Sequence, residues 1–271
     1  MGSELPIGIF DSGMGGLTVF KAISAHLPDE NLLYLGDTAR LPYGTKGRDT
    51  IVRYTLMAAE KLAAFGVKML VVACNTATSA ALPALQKEFA PIPVLGVIGP
   101  GARAACQASE NGHIVVMATQ ATVDGGAYQH AIDAINPRAR VVARACTLLV
   151  PLAEEGWVEG EIARGVLARY LGDILELAPA PDTILLGCTH FPLFLSSLRQ
   201  VVGEGTKIVD SARATAEDVA KRLREDKLLN ESATPGRHKF MTTDNCARFC
   251  RVGGNFLGME LSPDQISLVN L

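Results

Sequence analysis

The chain has little net charge, no long apolar run and no dense cysteine framework, and each absence removes a class of protein. Its 25 Lys and Arg residues nearly balance 28 Asp and Glu residues, for a formal net charge of −3. No basic surplus is available to grip nucleic acid or an anionic membrane surface, so neither is expected as a partner. No stretch reaches the roughly 18–20 uncharged apolar residues that span a bilayer. A basic n-region followed by an apolar segment and a cleavage site is missing as well, so a soluble cytoplasmic protein is expected. The six cysteines, at 74, 106, 146, 188, 246 and 250, lie far apart and form no C-x-x-C pair. That spacing suits free thiols better than a disulfide scaffold or a thiol–disulfide enzyme. The glycines at 13, 15 and 16 form neither G-x-G-x-x-G nor a Gly-Lys-Ser/Thr loop, which argues against nucleotide binding.

What is present is a chain of 271 residues, 48% hydrophobic and 20% charged, enough for one large domain or two small ones. Short Val/Ile/Leu-rich runs at 6–10, 32–36, 69–73, 94–97, 114–118, 140–143, 183–186 and 207–209 lack strict alternation. Such runs are expected of parallel strands buried on both faces. Helix-like stretches at 16–26, 48–65, 79–89, 100–108, 126–135, 160–177, 194–202 and 215–225 separate them. Strand–helix alternation predicts an α/β fold with mainly parallel sheets. Pro91, Pro93 and Pro100 with Gly96 and Gly99 mark a crossing between two halves, whereas the Pro-rich break at 178–181 reads as a loop. The expected organisation is one domain of residues 1–98 plus 208–271, with a second, 99–207, inserted. A polar loop at 230–236, a strand at 239–243 and a helix at 247–257 are expected in the tail.

Sites in open parallel sheets form beyond the carboxyl ends of strands. Three strand ends are rich in polar groups: Asp11-Ser12-Gly13, Cys74-Asn75-Thr76, and Gly187-Cys188-Thr189-His190. The last two echo each other, one in each expected half. Inverting a stereocentre by proton transfer needs a base on one face of a carbon and an acid on the other, and reversibility requires the pair to exchange roles. Two like groups placed symmetrically meet that need. Helix N-termini favour thiolates, which is expected to bring Cys74 and Cys188 towards a working pKa. Buried cysteine is otherwise an ordinary small hydrophobe, and that reading stands for Cys106 and Cys146. Cys246 and Cys250, four apart on a helix, lack the further ligands of a metal site. Asp11 is either an N-cap or a carboxylate serving the site. His190, two residues from Cys188, suits proton transfer. Pro42-Tyr43-Gly44 reads equally as a turn, and Glu154 and Glu155 as loop charges.

Together, Asp11-Ser12-Gly13-Met14-Gly15-Gly16-Leu17, Pro42-Tyr43-Gly44, Ala73-Cys74-Asn75-Thr76-Ala77, Gly187-Cys188-Thr189-His190-Phe191-Pro192 and Asp210-Ser211-Ala212 resemble the glutamate racemases, in that order and across essentially the whole chain. The resemblance implies two pseudo-symmetric α/β domains with the active site between them. It also implies interconversion of L- and D-glutamate without pyridoxal phosphate or metal, supply of D-glutamate for peptidoglycan, and a homodimer. Carried over, it gives Cys74 the α-proton of D-glutamate and Cys188 that of L-glutamate, with Asp11 and His190 assisting on their own sides. Glu154, in Pro151-Leu152-Ala153-Glu154, takes the place of the family's acidic residue. Ser12, Tyr43, Gly44, Asn75, Thr76, Thr122 and Thr189 become substrate contacts, together with Asp11 and His190. Gly125 stands where the family often has Ser, and Ala145-Cys146-Thr147 where Cys-Pro is common. The few residues before the first strand predict no dependence on a cell-wall precursor. The alternatives are an aspartate racemase and an arylmalonate-type decarboxylase, which typically keeps one of the two cysteines. A gyrase-binding role finds no supporting basic or acidic patch.

Overall fold

A computed structural model describes residues 2–232 and 234–271. Ten strands and eleven α-helices follow one another as β1 (Ile7–Asp11), α1 (Leu17–His26), β2 (Leu32–Gly36), α2 (Arg48–Ala63), β3 (Met69–Val72), α3 (Asn75–Glu88), β4 (Val94–Gly96), α4 (Ile98–Ala108), β5 (His113–Ala118), α5 (Gln120–Asp124), α6 (Ala127–Ile135), β6 (Arg140–Ala145), α7 (Leu149–Glu154), α8 (Gly160–Leu175), β7 (Thr183–Gly187), α9 (Leu195–Val202), β8 (Lys207–Asp210), α10 (Ser211–Glu225), β9 (His238–Thr242), α11 (Cys246–Leu257) and β10 (Ile266–Leu268). They build two sheets, β10-β9-β2-β1-β3-β4 and β6-β5-β7-β8. Every strand pair is parallel.

The continuous apolar runs have a direct cause: both faces of each sheet are covered. On β1, Ile7 and Ile9 join one core cluster, with residues of α1, α10 and α11, and Phe10 joins the opposite one, with α2 and α3. In the smaller sheet Val115 and Met117 of β5 face α7 and α8, while Ile114 and Val116 face α4 and α6. Period-two alternation between two apolar layers looks like no alternation at all.

One boundary is corrected. The expected return to the first half at residue 208 cuts β8, which pairs with β7 and completes the four-stranded sheet. The chain leaves that sheet only at α10, which packs against both α1 and α4. The likeness of the turn after β8 to that after β1 misled because both are strand-to-helix turns organised by an aspartate. Asp210 caps α10 by accepting the Ala212 N–H at 2.8 Å, and Asp11 accepts the Gly13 N–H at 2.9 Å. The short elements α5, α7 and β10 went unforeseen, being too brief to show a period. Of the expected loop 230–236, residue 233 lies outside the described residues and the rest carries neither helix nor strand. Among the described residues no helix is long and apolar enough to cross a membrane.

Candidate active site

The strand ends of the two sheets face one another across a closed cavity. From the six-stranded half, β1 ends in Asp11, which is wholly buried. Its turn is shaped by the Gly13 N–H and by Tyr34, whose hydroxyl donates to the Gly13 carbonyl at 3.0 Å. This presents Ser12 to the thiol of Cys74, with Oγ and Sγ 3.4 Å apart. Cys74 follows β3 and caps α3, its sulfur accepting the Ala77 N–H at 3.4 Å. Asn75 and Thr76 form the buried first turn of that helix.

From the four-stranded half, Cys188, Thr189 and His190 follow β7. His190 Nδ1 lies 3.9 Å from Cys188 Sγ and 3.4 Å from Thr189 Oγ1. Its Nε2 faces Glu154 Oε1, on α7, at 3.5 Å. Glu154 is buried where Glu155 is exposed, which distinguishes the site residue from the solvated one. Arg248, on α11, donates to Glu154 Oε2 at 2.9 Å and so reaches across from the other half. Tyr43 and Gly44 lie in a short 3-10 turn, Tyr43–Thr45. The Tyr43 hydroxyl donates to Asp37 Oδ2 at 2.7 Å.

Cys74, Cys188, Ser12, Tyr43, Gly44, Asn75, Thr76, Thr189, His190 and Glu154 all line one cavity of about 30 Å³. Asp11 and Thr122 stand behind its wall. The Thr122 hydroxyl lies 3.2 Å from that of Thr76 and 3.0 Å from that of Thr119, which itself lines the cavity. The space holds about two water molecules at roughly 10–15 Å³ each. Glycines let the halves meet this closely. A methyl on Gly15 would stand 2.5 Å from His190 Nδ1, and one on Gly44 would stand 2.6 Å from Thr119 Cβ.

Burial dominates the electrostatics. It pushes the Cys74 thiol up to about 12, and the nearby Asp11 charge adds to it against the Ser12 and Ala77 donors. The expectation that a helix N-terminus brings this thiol down to a neutral working value is therefore corrected: one N–H contact is outweighed by loss of water and by a neighbouring carboxylate. The other half of that expectation also changes, since Cys188 leads into a 3-10 turn, Phe191–Phe194, and α9 begins only at Leu195. Burial raises Asp11 as well, opposed by the charge of His190 and by backbone donors. Burial alone would lower His190, but its contacts with Cys188 and Glu154 prevail and hold it at about 10.

The other four cysteines stay outside the cavity. Cys146 is buried in the cluster that also contains Cys188, and burial pushes its thiol up to about 12. Asp37, Thr119, Tyr128 and Arg248 were missed in the sequence. Asp37 directly follows β2 and Thr119 directly follows β5. The strand-end rule that found the cysteines covers both. No local pattern marks Tyr128 or Arg248, which reach the site through tertiary packing.

Two buried thiols thus meet one cavity from the strand ends of different sheets, Ser12 beside Cys74 and His190 beside Cys188. The Asp/Glu/Hydantoin racemase family model matches residues 15–219. The chain belongs to that family, and it is an enzyme of the isomerase class. A glutamate racemase from Geobacter metallireducens is 49% identical over 255 residues, covering 94% of this chain and 93% of the relative. The crystal structure of glutamate racemase from Francisella tularensis in complex with D-glutamate superposes with a TM-score of 0.91 at 35% identity, covering 99% of this chain and 98% of that one. A glutamate racemase isoform from Bacillus anthracis gives a TM-score of 0.93 at 34% identity, with the same coverage.

Proposed function

We propose that this enzyme interconverts L- and D-glutamate by two-base proton transfer. The observation that carries the reading is the pair of thiols, Cys74 and Cys188, donated by different sheets to one cavity. In the D-to-L direction Cys74, as thiolate, removes the α-proton, and the electron pair stays on the α-carbon as a carbanion. The Cys188 thiol then delivers its proton to the opposite face. The reverse direction exchanges the roles, and the net change is inversion with no redox step. Burial favours Cys74 as a neutral thiol. The ammonium group of an incoming amino acid supplies the cation that brings it down, as an opposite charge within about 4–6 Å does. Asp11, behind Ser12, strengthens that pull by its attraction for the same ammonium.

On the other side His190 remains a cation up to about pH 10. Placed 3.9 Å from Cys188 Sγ, it stabilises negative charge that builds on the sulfur during proton removal. Glu154 orients the ring from behind. Ser12, Gly44, Asn75, Thr76 and Thr189, with the backbone of Tyr43, supply neutral donors, which suit the carboxylates of a zwitterionic dicarboxylate, and Thr122 supports the Thr76 hydroxyl from behind. The reaction is read as needing neither pyridoxal phosphate nor metal. Supply of D-glutamate to peptidoglycan, a cytoplasmic location, a homodimer and a two-domain organisation that opens and closes around the cavity belong to the same proposal.

The test is α-proton exchange of L- and D-glutamate in heavy water, followed by NMR without added cofactor, with aspartate as control. Wild type should racemise glutamate and leave aspartate untouched. Cys74→Ser and Cys188→Ser should each lose about a hundredfold or more, the usual share of a positioned acid or base. Turnover of aspartate instead overturns the substrate, and full activity in either variant overturns the two-base mechanism.

A further inference from the structure

Asn75 sits beside Cys74 with only half of its amide in use. It is 3% exposed, and its Oδ1 accepts the Tyr128 hydroxyl at 2.6 Å. Its Nδ2 is buried and finds no partner among the described residues. A buried donor left unpaired costs free energy, so a site that keeps one has a use for it. Because Asn75 lines the cavity, the use lies there.

Tyr128 engages the oxygen arm of the amide. Its phenol is fully buried, and burial raises its pKa, so it remains a proton donor at any working pH. Its hydroxyl donates to the amide oxygen, and the NH2 group is left for the cavity. The ring itself has no freedom. A methyl on Gly187 would stand 2.9 Å from Tyr128 Cε2, and one on Gly101 would stand 3.1 Å from its hydroxyl oxygen. Gly187 immediately precedes Cys188 and Asn75 immediately follows Cys74. Tyr128, on α6, therefore spans from the strand end that carries one thiol to the helix start that carries the other.

We propose that Tyr128 is a positioning residue for this reaction: by holding Asn75 Oδ1 from the opposite half, it fixes the amide NH2 as a donor to a substrate carboxylate and makes that donor available only when the halves are together. The inference rests on the racemase reading of the cavity. The fixed NH2 takes an acceptor such as a carboxylate oxygen and cannot pair with the substrate ammonium, because it donates and cannot accept.

The experiment is a double-mutant cycle of Tyr128→Phe and Asn75→Ala in the full chain, read as kcat and KM for both glutamate enantiomers. Circular dichroism checks the fold, which Phe preserves by keeping the ring between Gly101 and Gly187. Tyr128→Phe should raise KM for both enantiomers about five- to tenfold, the worth of one hydrogen bond, with the loss falling on KM rather than kcat. On the Asn75→Ala background the same substitution should cost nothing further. A purely structural role would instead lower the melting temperature and add its cost on both backgrounds. An unchanged KM in Tyr128→Phe, or additive losses, overturns the inference alone. A wild type silent on glutamate overturns the racemase reading and this inference with it.

Discussion

His190 and Cys74 are both buried, and burial acts on both, yet the two groups end in opposite charge states. Cys74 has two weak donors and a carboxylate nearby, so burial wins and the thiol stays neutral. His190 has Glu154 on one nitrogen and Cys188 near the other, so its partners win and the ring stays charged. Glu154→Gln removes the anion and should bring the His190 pKa down from about 10, which NMR titration of the ring proton reads directly. An unmoved pKa would mean that Glu154 does not set the charge. The same group links stability to pH. Its folded pKa lies above the ordinary 6.5, so its stabilisation is fully present below pH 6.5 and disappears as pH rises through about 10. Wild type should therefore lose melting temperature over that window more steeply than Glu154→Gln does.

At the scale of elements, the turns matter more than the strands they follow. The loop between β1 and α1 passes so near the turn after β7 that Gly15 has room only for hydrogen. Gly15→Ala should hold the halves apart by a methyl group. Misplacement of about 1 Å costs roughly a hundredfold, so kcat/KM should fall by that order while the urea midpoint barely moves. Wild-type kinetics in this variant would show that the loops yield. Far from the cavity, Lys68 at the head of β3 is buried against Glu30, just before β2, and also donates to the Leu228 carbonyl at 2.8 Å. Glu30→Ala leaves that ammonium without its counter-charge and should cost about 3–5 kcal/mol in urea unfolding. A loss within about 0.5 kcal/mol, typical of surface substitutions, would argue that water replaces the carboxylate.

At the scale of the whole molecule, the opening and closing proposed for the two halves can be tested directly. The cavity of about 30 Å³ is small beside a five-carbon dicarboxylate, which suits a site that closes on its substrate. Among the described residues, four hydrogen-bond contacts cross the cavity: Tyr128 to Asn75, Arg248 to Glu154, and Thr76 to Thr119 at 2.9 Å and to Thr122 at 3.2 Å. These four are polar, which suits the reversible closure proposed. Small-angle scattering should show a larger radius of gyration for the free enzyme, shrinking when glutamate is added. No change with ligand would place entry in local movement of the loop around Tyr43 instead.

Much of this was legible in the sequence because the relevant physics is local. Uninterrupted apolar runs between amphipathic stretches require parallel strands covered on both faces. Polar clusters at strand ends mark where such sheets place their chemistry, and the matched surroundings of Cys74 and Cys188 set them apart from four other cysteines. Tertiary structure decided the rest. Whether a thiol is neutral or charged depends on how much water is removed and which groups lie across the gap, and a run of residues specifies neither. The sheet that β8 joins depends on partners distant in the chain. Arg248 and Tyr128 matter only because folding brings α11 to α7 and α6 to α3, and no spacing in the sequence encodes those distances.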